Sequence, residues 1–178
     1  EKIKSIRSHG RIDKITYFSN PEESEYLSLG YNWRMSSITA GLGITQLGKL
    51  DKIIKMRKEN AEFLSSKLSK LSHEIKLPYH SEKYENIYQM FSIVLNNQET
   101  RDELQKFLLE KRIFSKVYFY PIHLTKFYKD KFDIKNNDLQ VTLDISRKIL
   151  TLPLYPNMTQ EEKNYLITSI FEYFESKK

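Results

Sequence analysis

Between Gly30 and Leu50 the chain reads GYNWRMSSITAGLGITQLGKL, and this stretch limits the possible fold more than any other. Its spacing predicts a helix from about Ser37 to Leu47 that carries Gly41, Gly43 and Gly48. A glycine costs about 1 kcal/mol against alanine in a helix interior, so another backbone or a ligand is expected to pass close by. Ser36 or Ser37 can cap the helix, and Gly30 permits either a positive φ or a close backbone approach. Ahead of the helix stand Asn32, a short two-way hydrogen bonder, and Trp33, the only tryptophan. Arg34 adds a fixed five-donor fork suited to phosphate or carboxylate. On the residues alone, a loop leading into a tightly packed helix accounts for the stretch equally well.

Around it the periodicity sets out a sequence of elements. Residues 1–8 read as the end of a helix, with Ile3 and Ile6 at helical spacing and Gly10 as its C-terminal cap. Residues 11–29 read as loop, with a short strand over 14–18 and a turn at Asn20-Pro21. A long helix over 50–71 carries an apolar stripe of Leu50, Ile53, Ile54, Ala61, Leu64, Leu68 and Leu71, with Arg57 beside it. Residues 78–86 form a linker. A strand over 87–95 has Ile87, Phe91, Ile93 and Leu95 inward, and a helix ending near Arg112 contains a capping box at Thr100-x-x-Glu103. The β-branched and aromatic run 113–120 is a second strand, stopped by Pro121. After a short aromatic segment at 127–132 comes a helix over 138–150 with Val141, Ile145 and Ile149 inward, then a third strand over 151–154. Thr159-x-x-Glu162 is a capping box opening a last helix with Leu166, Ile167, Ile170, Phe171 and Phe174 inward. The expected core is Ile87, Phe91, Ile93, Val117, Phe119, Ile145, Leu152, Ile170 and Phe171. Strand and helix alternate three times from about residue 75, which describes a small α+β domain with helices on one side of a sheet.

Composition excludes several classes. There is no cysteine, hence neither a disulfide nor a cysteine metal site, and no metal site is expected. No apolar run approaches the roughly 20 residues of a membrane span, and residues 1–10 lack a signal-peptide core, so no membrane partner and a cytoplasmic location are expected. The net charge of +6 favours anionic ligands. The lysines are scattered over polar helix faces, as solvated surface would be. A basic nucleic-acid-binding or regulatory module is the alternative that pI and 13% aromatic content leave open, although no RNA-binding or helix-turn-helix signature is present.

The motif Gly30-Tyr31-Asn32-Trp33-Arg34-Met35, followed by a helix with Ala40, Gly43, Gln46 and Leu47, resembles the GYNYRM segment of the DegT/StrS-type sugar aminotransferases. These are fold-type I enzymes that use pyridoxal phosphate. Trp33 stands where that family has tyrosine or phenylalanine, and Gly41 where alanine is common. Three further segments resemble the family in order: RSHG at 7–10, KVYFYPIHLTKFY at 116–128 and RKILTLPLYP at 147–156. Taken alone His123, in Tyr120-Pro121-Ile122-His123, is a loop histidine, though loops at strand ends are where binding residues gather.

The resemblance implies an α/β fold-type I enzyme: long connecting helices, then a three-stranded, mainly antiparallel sheet with helices on one side. Residues 1–50 would end the large cofactor-binding domain, 51–74 would be a connecting helix, and 75–178 the small α+β domain. It implies a homodimer that transfers an amino group, with glutamate as donor, to a nucleotide-linked keto sugar. Asn32 would reach the cofactor phosphate of the neighbouring subunit, and Arg34, His123, Tyr31, Tyr120 and His9 would line the substrate site. No catalytic residue falls within this chain: Lys2, Lys4 and Lys14 lack the family's lysine context. The chain is therefore expected to be the C-terminal half of such an enzyme and inactive alone. A family member without catalysis is the remaining alternative.

Overall fold

The computed structural model describes residues 1–12, 25–79, 81–135 and 138–177. The strand expected over 14–18 and the turn at Asn20-Pro21 lie outside these residues. By internal packing the chain divides into two compact units, Glu1–Leu50 and Asp51–Lys178.

In the first unit, helix α1 (Lys2–Ile6) leads into strand β1 (Arg11–Ile12), which pairs antiparallel with β2 (Glu25–Tyr26). Both strands fall in a segment expected to be loop; at two residues each they are too short to leave a periodic pattern. Helix α2 (Ser37–Leu47) has the expected bounds. Ser36 caps it, its hydroxyl accepting from the Thr39 N–H at 3.2 Å. The helix buries none of its residues, and Ile38 is 81% exposed and Ile44 71%. At two of its three glycines the expected close neighbour is absent among the described residues: a Cβ on Gly41 or Gly43 would meet nothing within 4 Å.

The second unit is built on α3 (Leu50–Leu68), which a 3-10 turn (Ser69–Leu71) extends. Its Ala61, Leu64 and Leu68 are fully buried, as the stripe predicts, but Leu50 is exposed. Beside them the buried Asn60 amide donates to the carbonyls of Tyr155 and Pro156 and accepts from Lys163, tying α3 to the turn before the last helix. The sheet is antiparallel and three-stranded, in the order β3 (Ile75–Lys76), β4 (Phe91–Leu95), β5 (Ile149–Leu152). Phe91 faces Leu152 and Ile93 faces Leu150, and all four are in the core.

Several boundaries differ from expectation for physical reasons. Strand β4 starts at Phe91 rather than 87, and Ile87 is exposed. Tyr88 has φ 47°, which breaks the extended backbone, and Arg57 Nη1 takes up the carbonyls of Tyr88 and Gln89 at 3.0 and 3.1 Å. Helix α4 (Gln98–Glu110) is capped by Asn97, whose side chain accepts from the Thr100 N–H at 2.8 Å. Thr100 is thus inside the helix and not its cap; asparagine is the stronger capping residue. The strand expected over 113–120 is reduced to one bridge, Lys116 with Thr151. Beyond it Phe119 turns out to 67% exposure and leaves the core. After a 3-10 turn (Ile122–Leu124), α5 (Lys126–Phe132) ends at Asp133 with φ 50°. Helix α6 (Gln140–Lys148) buries Leu143 rather than Val141 and Ile145, both of which are exposed. Helix α7 (Gln160–Glu175) has the full capping box at Thr159 and Glu162, and buries Leu166, Ile167, Ile170 and Phe174. Phe171 and Val117 only pack against the core's edge. Tyr173 joins the core unforeseen, its hydroxyl donating to Glu103.

Candidate functional site

Two clusters bring the candidate residues together, one within each unit. In the first, the chain passes over itself at two glycines. Gly10 has φ 78°, and a Cβ there would sit 1.7 Å from the Ser28 carbonyl oxygen. A Cβ on Gly30 would sit 1.9 Å from the Gly10 nitrogen. The crossing lets three backbone hydrogen bonds fasten the GYNWRM loop to the end of α1: Tyr31 N–H to Ile6, Trp33 N–H to Arg7, and His9 N–H to Tyr31. Gly10 also caps α1, its N–H donating to the Ser5 carbonyl at 2.9 Å. His9 is exposed and held at φ 63°, a region that histidine tolerates better than most residues.

The rings of Tyr31 and Trp33 stack, centroids 4.3 Å apart. Asn32 lies between them in the chain, exposed, and Arg34 follows, exposed as well. Neither side chain has a partner among the described residues. No other charged residue occurs between Arg34 and Lys49. A fastened backbone thus presents an amide and a guanidinium whose donors meet none of the described residues.

The second cluster surrounds His123. It sits in the 3-10 turn after Pro121 and is 8% exposed, so it is a buried histidine and not the loop histidine of the plain reading. Its Nε2 has no hydrogen-bond partner among the described residues. Together with Tyr120 it lines a cavity of about 640 Å³ walled by Tyr118, Phe119, Tyr128, Val141 and Ile145. Val141 and Ile145, expected in the core, therefore serve this wall. A second cavity of about 490 Å³ shares residues 119–121 and carries Gln98, Arg101 and Arg147. Arg101 is buried, with Nε on the Asp102 carboxylate at 2.6 Å and Nη1 toward the Ser146 carbonyl. Neither arginine was legible as a cavity residue, because helical spacing marks apolar faces and is silent about where a charged side chain points. The density of aromatic residues over 118–128 was the available signal for the first cavity.

No helix among the described residues is long and apolar enough to cross a membrane, and none of their His, Asp and Glu side chains group into a metal site.

Known proteins share this architecture. The chain is 29% identical over 149 residues to the GDP-perosamine synthase of Escherichia coli O157:H7, covering 84% of this chain and 39% of that protein. It is 28% identical over 169 residues to an uncharacterized protein of Methanocaldococcus jannaschii, covering 91% of this chain and 43% of that one. The chain thus spans about two fifths of the length of these relatives. Among solved structures, PseC of Helicobacter pylori, an aminotransferase involved in pseudoaminic acid biosynthesis, superimposes with a TM-score of 0.80 at 24% identity. That superposition covers 98% of this chain and 46% of PseC, so the two share a fold. The profile of the DegT/DnrJ/EryC1/StrS aminotransferase family matches residues 1–171, and the chain belongs to that family.

Proposed function

We propose that these residues form part of a pyridoxal-phosphate-dependent aminotransferase that moves an amino group, with glutamate as donor, onto a nucleotide-linked keto sugar. On this reading residues 1–50 close the large cofactor-binding domain, 51–74 connect, and 75–178 are the small domain of a cytoplasmic homodimer. The observation that carries the reading is the fastened loop: Asn32 and Arg34 are exposed, without partners among the described residues, on a backbone held by three hydrogen bonds.

That donor set fits a phosphate. With pyridoxal phosphate bound, the Asn32 amide would donate to the phosphate of the neighbouring subunit's cofactor, and the Arg34 guanidinium would hold an anionic oxygen of cofactor or substrate. Because the loop is fixed beforehand, little ordering entropy is spent when the anion arrives. Tyr31 and His9 stand on the same crossing and border that anion; Tyr120 and His123 line the substrate side from the small domain. When bound, pyridoxal phosphate supplies the ring that carries the amino group between donor and acceptor. The lysine that holds the cofactor lies, on this reading, in the part of the enzyme beyond these residues.

Supplying the longer protein with pyridoxal phosphate, glutamate and a nucleotide-linked keto sugar tests the reading. Release of 2-oxoglutarate with formation of an amino sugar is expected. Borohydride reduction should place the pyridoxyl group on a lysine outside these 178 residues. A stoichiometric adduct on a lysine within them, or no amino transfer to any keto sugar, contradicts it.

A further inference from the structure

The cavity beside His123 is uncharged. Among the described residues lining it there is no lysine, arginine, aspartate or glutamate. An anion placed there would give up water without meeting a counter-charge, which disfavours phosphates and carboxylates. A polyhydroxylated ring would find hydroxyl partners only at Thr142, Ser146 and the tyrosine edges, because the rest of the lining, Ile122, Val141 and Ile145 among it, is aliphatic. The lining suits a flat, uncharged ring with polar atoms on one edge: Tyr118, Phe119, Tyr120 and Tyr128 provide aromatic surface on which a ring of any base can stack. The polar contact is waiting as well. His123 is 8% exposed and its Nε2 has no partner among the described residues, and a buried polar atom in a native protein is normally satisfied. The basic side chains Arg101 and Arg147 line the adjoining cavity, which shares residues 119–121 with this one.

We propose that this cavity takes the planar base of the nucleotide-linked substrate, stacked on the aromatic wall, with His123 Nε2 hydrogen-bonded to the polar edge of the base. The proposal rests on the aminotransferase reading for the presence of a nucleotide. The rest of the substrate leaves through the open mouth rimmed by Val141, which is 78% exposed.

Thymidine, uridine and guanosine titrated singly into the longer protein test this, followed by its histidine ring proton resonances. His123→Gln assigns the His123 signal. At least one nucleoside should shift that signal saturably, and ribose alone should not. Val141→Trp narrows the mouth from an exposed position, outside the core, and should weaken the binding about tenfold, equivalent to about 1.4 kcal/mol. No shift of the His123 signal with any nucleoside, an equal shift with ribose, or unchanged affinity in Val141→Trp would each overturn the proposal. The titration needs neither cofactor nor amino donor. Its failure therefore leaves the aminotransferase reading standing, whereas failure of that reading shows only in the transfer assay.

Discussion

A methyl group at Gly30 would stand 1.9 Å from the Gly10 nitrogen, and both partners in that clash are backbone. No side-chain rotation can relieve it, so the GYNWRM loop must lift from α1. Trp33, the only tryptophan, stacks on Tyr31 within that loop and therefore reports on it alone. Gly30→Ala is expected to shift the tryptophan emission and weaken its quenching by Tyr31, with helix content by circular dichroism nearly unchanged. Gly41→Ala, where a Cβ meets nothing within 4 Å, should leave the emission alone and favour α2 by up to about 1 kcal/mol. Equal emission in the two variants would contradict the crossing. The sequence announces such a role for Gly30, because a glycine before an asparagine and an arginine points to a tight approach. It does not announce that Gly10 is the other half of the contact, since a helix-end glycine already has a sufficient local explanation. The burial of His123 was likewise illegible: nothing local distinguishes a histidine after Tyr-Pro-Ile that faces water from one that walls a cavity.

At the scale of elements, caps decide where helices begin. Thr159 and Glu162 satisfy each other's backbone, Glu162 N–H to the Thr159 hydroxyl at 3.2 Å and Thr159 N–H to the Glu162 carboxylate at 2.7 Å. The Thr159 N–H holds the Glu162 carboxyl below its ordinary value, with the Tyr155 hydroxyl contributing next. The unfolded chain, with the ordinary carboxyl value, therefore binds more protons than the folded one in the window below that value. The cap's contribution is present above the unfolded value and is lost as pH falls through the folded one. Urea unfolding measured from pH 7 down to pH 3 should show wild-type stability falling more steeply than that of Glu162→Gln, whose amide oxygen keeps the acceptor without the charge. Parallel curves would contradict this account. The box was legible because threonine, two spacers and glutamate precede a long apolar stripe. The box expected at Thr100 obeys the same pattern yet fails, because Asn97 three residues earlier caps first. Helix α6 was misread for a different reason. Its apolar residues fall on two faces, and the sequence does not say that Val141 and Ile145 border one cavity while the buried Leu143 lines the other.

At the scale of the molecule, stability is unevenly distributed. The second unit buries a continuous core running from Leu64 through Phe91, Ile93, Leu104 and Leu150 to Ile170. In the first unit, neither α1 nor α2 buries a residue. Hydrogen exchange should accordingly find the amides of α3, β4 and α7 among the slowest and those of α2 among the fastest, since protection follows buried contact. Comparable protection across both would contradict the division. Periodicity found α3 and α7 because each presents one stripe to a core inside the chain. Helix α2 exposes Ile38, Leu42 and Leu47 with no one-sided stripe for periodicity to find, and such exposed apolar side chains mark an interaction surface. Fold and family were thus readable, while the site's geometry depends on crossings and cavities between distant residues. The central claim is that the fastened loop delivers Asn32 to the cofactor phosphate. Its most direct measurement is the dissociation constant for pyridoxal phosphate in the longer enzyme, wild type against Asn32→Ala. Losing one hydrogen bond to a charged group is worth about 1.5 kcal/mol, so the account predicts roughly tenfold weaker binding with an unchanged melting temperature of the cofactor-free protein. Equal dissociation constants for the two proteins would contradict it.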